Sequence, residues 1–400
     1  MTDKKKVAFD MVLNIVAVAI PALALQFVIL PAVSHHMPDS NYGLFVTLLA
    51  VLDVFPGTLG NVLNNIRLLY NNSYLGKNLE GDFNIILLAM AGVNLLIVSV
   101  FSILYSDDKS IIDILMIVVL SLLWLAKEYF IVAFRLKINY LAILINNVLQ
   151  VAGYAAGYYI FLQTGKWQWI FLIGYFVSLV YIFIRCSLWK EKLVRTELIK
   201  KVTIQTVLLF IAGLLNRATT YADKILIYPI IGGSVVSVYH AATVFGKVVA
   251  FAVTPVNAVV LTYLAKMKKK PDNIFKTAFL TEAGLCVIGY VACVLISRPV
   301  LTLIYPQFVD SAMEYIYVTT ATTAFYALVT IVNPFIMKFF DMKWQIAING
   351  GAAALYVVLS LGMFYIWGLM GFCIGALITN ALKLISMLII FTKCRPKKYA

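Results

Sequence analysis

The sequence predicts an all-α integral membrane protein with about twelve transmembrane helices and with both termini in the cytoplasm. Of the 400 residues, 62% are hydrophobic and only 12% are charged, whereas roughly a quarter of the residues in a soluble domain are charged. Apolar runs, most of them of about 18 residues or more, recur from end to end, and a helix needs roughly 20 residues to cross the hydrocarbon core. The third observation is how positive charge is distributed between successive loops.

Each apolar run is interpreted as one span. The twelve predicted spans are 7–33, 42–66, 83–105, 111–133, 141–162, 168–188, 202–230, 235–263, 277–299, 312–337, 344–366 and 369–392. With a cytoplasmic N terminus, the inner segments carry 24 of the 32 Lys and Arg residues and the outer segments carry three. Cytoplasmic loops are enriched in Lys and Arg, so this bias supports the orientation. It would collapse if one span were missed, or if the first span were a cleaved signal peptide.

A basic cytoplasmic linker at 190–201 divides the chain into an N-lobe, 1–189 with spans 1–6, and a C-lobe, 202–400 with spans 7–12. The two lobes show a weak internal sequence repeat. Pro31 precedes Tyr42 in the first lobe at nearly the same spacing at which Pro229 precedes Tyr239 in the second. Six spans per lobe make the repeats parallel, related by an axis along the membrane normal, and a cavity between the lobes is expected.

Ionisable side chains inside spans cost about 2.5–3.5 kcal/mol each on insertion scales, and they usually face a bundle interior or a wet cavity. Five cations and three carboxylates lie well inside the predicted spans: Lys127, Arg217, Lys224, Lys247, Lys383, Asp53, Glu128 and Asp223. The interior is therefore predicted to be net positive. The formal charge of +14 otherwise reflects topology, and we expect no nucleic-acid partner.

Three helices carry polar stripes when residues are placed 100° apart. The stripes consist of Arg217, Tyr221 and Lys224 on the seventh helix, Asp53, Asn64 and Arg67 on the second, and Asn147, Gln150 and Tyr154 on the fifth. Lys247 places a further cation at mid-depth on the eighth helix.

Alternative roles exist for several of these charges. Arg67 and Lys383 are close enough to the cytoplasmic boundary to snorkel, and Lys127 with Glu128 fits an interface anchor. Arg217 and Lys247 are too deep for easy snorkelling. They therefore either face a cavity or form structural ion pairs with Asp53 or Asp223.

The sequence carries no enzyme signature. It has no Walker A motif, its three His residues have no Cys or carboxylate at ligand spacing, and its loops are too short to build much of a catalytic site. We therefore expect a protein that is not an enzyme and that has no metal site and no cofactor. The five Cys residues lie in spans or in inner segments, so no disulfide framework is expected.

Short motifs along the whole chain resemble one transporter family. They are IPALALQ at 20–26, NYGL at 41–44, YADKILI at 221–227 followed by Gly232 and Tyr239, and WGLMG at 367–371. On these motifs the chain resembles the Wzx-type polysaccharide flippases of the multidrug/oligosaccharidyl-lipid/polysaccharide (MOP) exporter superfamily.

The resemblance implies a MATE-like, V-shaped pair of six-helix lobes in the bacterial cytoplasmic (inner) membrane. Such a protein moves an undecaprenyl-pyrophosphate-linked oligosaccharide repeat unit to the outer leaflet by alternating access, driven by an H⁺ or Na⁺ gradient. Besides that substrate, its expected partners are membrane lipids and polysaccharide polymerase and assembly proteins.

Site roles follow from combining the resemblance with the polar stripes. The pyrophosphate candidates are Arg217, Lys224, Lys247 and, at the cytoplasmic mouth, Arg67; the coupling-ion candidates are Asp53 and Asp223; the sugar-contact candidates are Asn64, Asn147, Gln150, Tyr154 and Tyr221. Two other functions remain open: a MATE-like drug or metabolite exporter, for which a more acidic cavity is expected, and a membrane enzyme or scaffold of glycan assembly.

Overall fold

The computed structural model describes residues 3–74, 81–105, 110–246 and 272–394. Throughout these ranges the regular structure is helical, and they contain no strand. The chain folds as two compact units, Met1–Val236 and Ser237–Ala400. The seventh helix thus lies in the first unit. The lobe boundaries expected from the sequence, with the linker at 190–201, stay a prediction.

Seven long helices and the start of an eighth make up the first unit. They are α1 (Asp3–Ala24, continued by a π-helical turn at Leu25–Ile29 and by Leu30–Ser34), α2 (Asp39–Leu52, a π-helical turn at Asp53–Gly57, then Thr58–Tyr74), α3 (Asp82–Tyr105), α4 (Ile111–Phe130, then Val132–Leu136), α5 (Tyr140–Thr164), α6 (Gln168–Arg185) and α7 (Ile199–Ile231). Gly232 ends α7 at a φ of +94°, a conformation that favours glycine. The next helix, α8, is described over 233–246.

Local sequence explains how α5 begins and ends. The side chain of Asn139 accepts a hydrogen bond from the backbone N–H of Ala142 at 3.0 Å and caps the first turn. At the other end, Gly165 takes a φ of +70° and its N–H donates to the carbonyl of Phe161 at 2.8 Å. Both ends agree with the predicted span 141–162 to within a few residues.

The second unit contains α9 (Asp272–Ile304), α10 (Val309–Phe339) and a helical run, Met342–Lys393, that is broken at Trp367 and Gly368. A Cβ added to Gly371 would lie 2.0 Å from the carbonyl oxygen of Met363, so the chain folds back on itself after the break. The run is therefore an antiparallel hairpin of α11 (342–366) and α12 (369–393), as the predicted spans 344–366 and 369–392 require.

Among the described residues, nine helical segments are long and apolar enough to cross a membrane, with the α11–α12 hairpin counted as one. The seventh predicted span corresponds to α7, and the eighth extends beyond the described part of α8. The count of twelve and the placement of the termini stay predictions.

The linker between α6 and α7 is largely irregular. It has one turn of 3₁₀ helix, Leu188–Lys190, and the helix that follows begins at Ile199. The linker packs against the start of α3 so closely that a Cβ added to Gly81 would lie 1.8 Å from the carbonyl oxygen of Lys192. Residues 187–198, called the linker strap below, are thus held on the first unit.

Candidate functional site

The polar centre of the first unit begins at a π-helical turn in α2. Asp53–Gly57 form this turn, and it contains Pro56. Proline has no N–H to donate to the helix, and π-helical turns are frequent at functional sites. The Asp53 side chain remains 22% exposed. The turn therefore presents a carboxylate partly open to its surroundings.

Arg217 of α7 pairs with this carboxylate. Its Nη1 donates to the Asp53 side chain and, at 3.2 Å, to the Asp53 carbonyl oxygen. Within the described residues, its Nη2 and Nε form no hydrogen bond, and its side chain is 32% exposed. A Cβ added to Gly57 would lie 3.0 Å from Asp53 Oδ1 and 3.2 Å from Arg217 Nη1. The ion pair therefore uses only Nη1 of the guanidinium. A side chain at position 57 would crowd the paired atoms, so the residue beside them has to be a glycine.

Two further residues of α7 extend the cluster. Tyr221 faces the Asp53 carboxylate, and the Lys224 ammonium lies 5.6 Å from the centroid of the Tyr221 ring. Lys224 is 4% exposed. Its positive charge is therefore buried against the face of the Tyr221 ring. Asp223, predicted to lie off this stripe, accepts a hydrogen bond at 2.8 Å from the backbone N–H of Lys224.

The second-helix stripe turns toward α4 below the π-helical turn. Asn64 donates to the Glu128 carbonyl oxygen at 2.9 Å and accepts from Arg135 Nη1 at 2.6 Å. Glu128 in turn pairs with Lys127 at 3.2 Å. In this conformation the Asn64 amide, a predicted sugar contact, is thus occupied by protein partners.

Arg67 lies in a closed environment, 1% exposed. Its two terminal nitrogens bind the Glu191 carboxylate of the linker strap at 2.8 and 2.6 Å. Nη1 also donates to the Tyr129 hydroxyl at 3.3 Å, and the guanidinium stacks 4.5 Å from the centroid of Phe83. The predicted cation of the cytoplasmic mouth therefore ties the linker strap to α2, α3 and α4.

The fifth-helix stripe lies within helix interfaces. Asn147 donates to the carbonyl of Ala17 in α1 at 2.7 Å, and Gln150 donates to the Tyr154 hydroxyl at 2.5 Å. All three side chains are at most 4% exposed. They thus contact neighbouring helices here, and their role as sugar contacts stays a prediction.

Two predicted cations are placed differently. Lys247 lies outside the described residues. Lys383 lines a largely apolar cavity of about 230 Å³ between α11 and α12, which Trp344, Thr379 and Ser386 also line.

One buried acid, Glu282 of α9, is absent from the predicted site. It is 1% exposed, and neither carboxylate oxygen has a hydrogen-bond partner among the described residues. Its position inside the predicted span 277–299, without a basic residue one turn away, is the signal that identifies it in the sequence.

No protein-family model and no curated protein matches the chain. Solved structures do match. Lipid II flippase MurJ in an inward closed conformation has a TM-score of 0.78 at 13% identity, covering 95% of this chain and 87% of that one. An inward-facing multidrug resistance MATE family transporter of the MOP superfamily has a TM-score of 0.67 at 12% identity, covering 95% and 98%. The Vibrio cholerae MATE transporter VcmN in the bent form has a TM-score of 0.61 at 11% identity, covering 97% and 96%.

These likenesses show the fold. The chain has the all-helical fold that MurJ and the MATE transporters share, and it is a multi-pass membrane protein. The class predicted from the apolar runs is confirmed at that level.

Proposed function

We propose that the chain is a flippase. It moves an undecaprenyl-pyrophosphate-linked oligosaccharide repeat unit from the cytoplasmic to the outer leaflet of the bacterial cytoplasmic membrane, by alternating access coupled to an H⁺ or Na⁺ gradient. The shared fold with a lipid II flippase supports transport of a lipid-linked substrate, and the Wzx-like motifs support a polysaccharide repeat unit. Polymerase and assembly proteins would receive the product.

The observation that carries the proposal is that only one nitrogen of the Arg217 guanidinium, Nη1, is hydrogen-bonded among the described residues. Asp53 holds its Nη1, while Nη2 and Nε form no hydrogen bond in the described part of the chain and the side chain is partly exposed. A guanidinium edge with two parallel N–H donors matches two phosphate oxygens. Arg217 is therefore poised to receive a pyrophosphate. Lys224 and, in this proposal, Lys247 add positive potential.

The Asp53–Arg217 pair also supplies a means of coupling. A pyrophosphate that binds Arg217 competes with Asp53 for the same cation, because both are anionic. Once displaced, the Asp53 carboxylate requires another positive partner, and H⁺ or Na⁺ fills that need. Asp223, whose carboxylate accepts a hydrogen bond from the backbone N–H of Lys224, remains a second candidate for binding the coupling ion.

Deleting the gene tests the function. We expect the lipid-linked repeat unit to accumulate in the cytoplasmic leaflet and surface polysaccharide to disappear, as measured by mass spectrometry of membrane lipids and by carbohydrate staining. Normal surface polysaccharide in the deletion strain would refute the flippase. Hypersensitivity to cationic drugs with normal polysaccharide would identify the exporter alternative instead.

Complementing the deletion with variants tests the site. R217A and K247A should abolish export at unchanged protein levels in the membrane. R217K keeps the charge but loses the planar fork, so export should fall without vanishing. R298A is the matched control, since Arg298 is 69% exposed and its pair is with Asp310, a residue that is itself 91% exposed. Full export by both R217A and K247A would show that Arg217 and Lys247 do not bind the pyrophosphate and have only a structural role.

A further inference from the structure

Glu282 is an acid buried without a partner. Its side chain is 1% exposed, and within the described residues neither of its carboxylate oxygens receives a hydrogen bond. It also forms no ion pair there, unlike Asp53 and Glu128, which pair with cations. Asp223, the third deep acid of the first unit, accepts a hydrogen bond from the backbone N–H of Lys224, so Glu282 differs from all three.

The position of Glu282 places it inside the membrane. Helix α9, Asp272–Ile304, is one of the spanning helices, and Lys276 lies exposed near its first turn. Glu282 follows Lys276 by six residues, or about 9 Å along the helix axis. Its side chain is buried, so the carboxyl group cannot reach water by snorkelling.

The surroundings of Glu282 on the packed face are apolar. One turn later, the Cys286 thiol lies 3.6 Å from the carbonyl oxygen of Ala324 in α10, and Ala327 packs beside it. Two turns earlier, Phe275 stacks on Phe391 of α12 with ring centroids 3.7 Å apart. Along α9, Glu282 therefore lies between an aromatic stack and a small apolar cluster whose thiol is already bonded to a backbone carbonyl.

Titratable groups on the packed helices leave the carboxyl unpaired. Besides Glu282, these groups are Asp272, Lys276, Cys286, Tyr290, Cys293 and Arg298 on α9 itself, Asp310, Glu314, Tyr315, Tyr317, Tyr326 and Lys338 on α10, and Cys373, Lys383 and Lys393 on α12. None of them bonds to the Glu282 carboxylate in the described structure. An ionised carboxylate without a donor in an apolar site is far more costly than the neutral acid. The neutral, protonated form is therefore the one that this packing accommodates.

We propose that Glu282 is a proton-binding site of the second unit, loaded with H⁺ in this conformation and releasing it to water in another conformation of the transport cycle. The release breaks the carboxyl O–H bond, leaves a carboxylate and passes the proton to water. This inference rests on the proposed function for the transport cycle. It names H⁺ as a coupling ion and places its site outside the Asp53–Arg217 cluster.

A substrate-free experiment tests the protonation. Purified full-length protein in lipid vesicles is treated with dicyclohexylcarbodiimide, which modifies protonated carboxyl groups in apolar surroundings, and the adducts are mapped by mass spectrometry. We expect an adduct on Glu282 whose yield falls as pH rises. E282Q should lose that adduct. E314Q should retain it, since Glu314 on α10 is exposed. No adduct on Glu282, or a yield independent of pH, would overturn the proposal.

Export by the same variants tests the release. E282Q resembles the permanently neutral acid and cannot release a proton, so polysaccharide export should fall by about tenfold or more at an unchanged membrane level. E282D should restore part of it, and E314Q should behave as wild type. Wild-type export by E282Q overturns the proposal. If the gene deletion leaves surface polysaccharide normal, only the flippase assignment fails, because the adduct experiment needs no substrate.

Discussion

The guanidinium of Arg67 holds the carboxylate of Glu191 through two hydrogen bonds, of 2.8 and 2.6 Å, although the two residues are 124 positions apart. Arg67 is 1% exposed and the Glu191 side chain 12%. A hydrogen bond at another residue also holds the linker strap. The carboxylate of Asp82 accepts it from the backbone N–H of Thr196 at 2.8 Å. The irregular chain between α6 and α7 is therefore fixed to the first unit by buried polar contacts.

Removing Glu191 should destabilise the fold strongly. E191A removes the carboxylate partner of the buried Arg67 guanidinium, and breaking a buried ion pair in this way costs about 3–5 kcal/mol. Unfolding by denaturant in detergent micelles measures the loss. The double variant R67M/E191L should lose less, because no buried charge remains. K192A is the control, since Lys192 is exposed on the same strap. Equal losses for E191A and K192A would contradict the role of the pair.

The reactivity of Cys186 should report whether the strap is docked. Burial raises the pKa of the Cys186 thiol, with the nearby Glu191 charge adding to the effect. Only the thiolate reacts with maleimide, so a raised pKa means slow labelling near neutral pH and a rate that climbs at more alkaline pH. E191A should lower this pKa and speed the labelling. Cys394, less buried at the end of α12, is the internal reference. An unchanged ratio of the two rates would contradict strap release.

Enlarging Gly57 should disturb the Asp53–Arg217 pair. A methyl group at this position would lie 3.0 and 3.2 Å from the paired atoms, so both side chains must shift. We expect G57A to lower polysaccharide export about threefold to tenfold, equivalent to roughly 1 kcal/mol of binding. G92A is the matched control, because a Cβ at Gly92 meets nothing within 4 Å. Equal export by both variants would show that the pair tolerates displacement.

The α11–α12 hairpin offers a second glycine comparison. G371A would place a methyl group 2.0 Å from the Met363 carbonyl oxygen, whereas a Cβ at Gly362 meets nothing within 4 Å. Overpacking of this kind costs about 1–3 kcal/mol. G371A should therefore lower the thermal unfolding temperature in detergent while G362A leaves it nearly unchanged. A similar temperature for both would indicate that the two helices separate without cost.

Helix positions were predictable because apolar run length is a local property. The span predicted at 202–230 is observed as Ile199–Ile231, and the gap predicted between 366 and 369 coincides with the break at Trp367 and Gly368. The packing faces were less predictable. A constant 100° per residue places Asp53, Asn64 and Arg67 on one face, but the π-helical turn at Asp53–Gly57 changes the rotation. Asp53 consequently faces α7, whereas Asn64 contacts α4.

Polar stripes identified residues without revealing their partners. Asn147 and Gln150 have the periodicity expected of a cavity wall, yet each bonds within the protein. A helix interface and a wet cavity impose the same spacing, so sequence alone does not separate them. For Arg217 the sequence left a cavity role and a pair with Asp53 open, and the structure combines a pair with partial exposure. Glu282 was left out of the predicted site because it lies close to the start of the predicted span 277–299, near a membrane boundary.

The placement of α7 in the first compact unit has a consequence for dividing the gene. Asp53 is neutralised by Arg217, a residue encoded beyond the linker strap. A fragment that ends at residue 189 would therefore carry an orphan carboxylate in its interior, while one that ends at residue 236 would keep the ion pair. Coexpressed halves should reassemble far more readily when the cut falls at 236. An N-terminal half of this chain would thus have to be inherited together with its seventh helix to keep the Asp53–Arg217 ion pair.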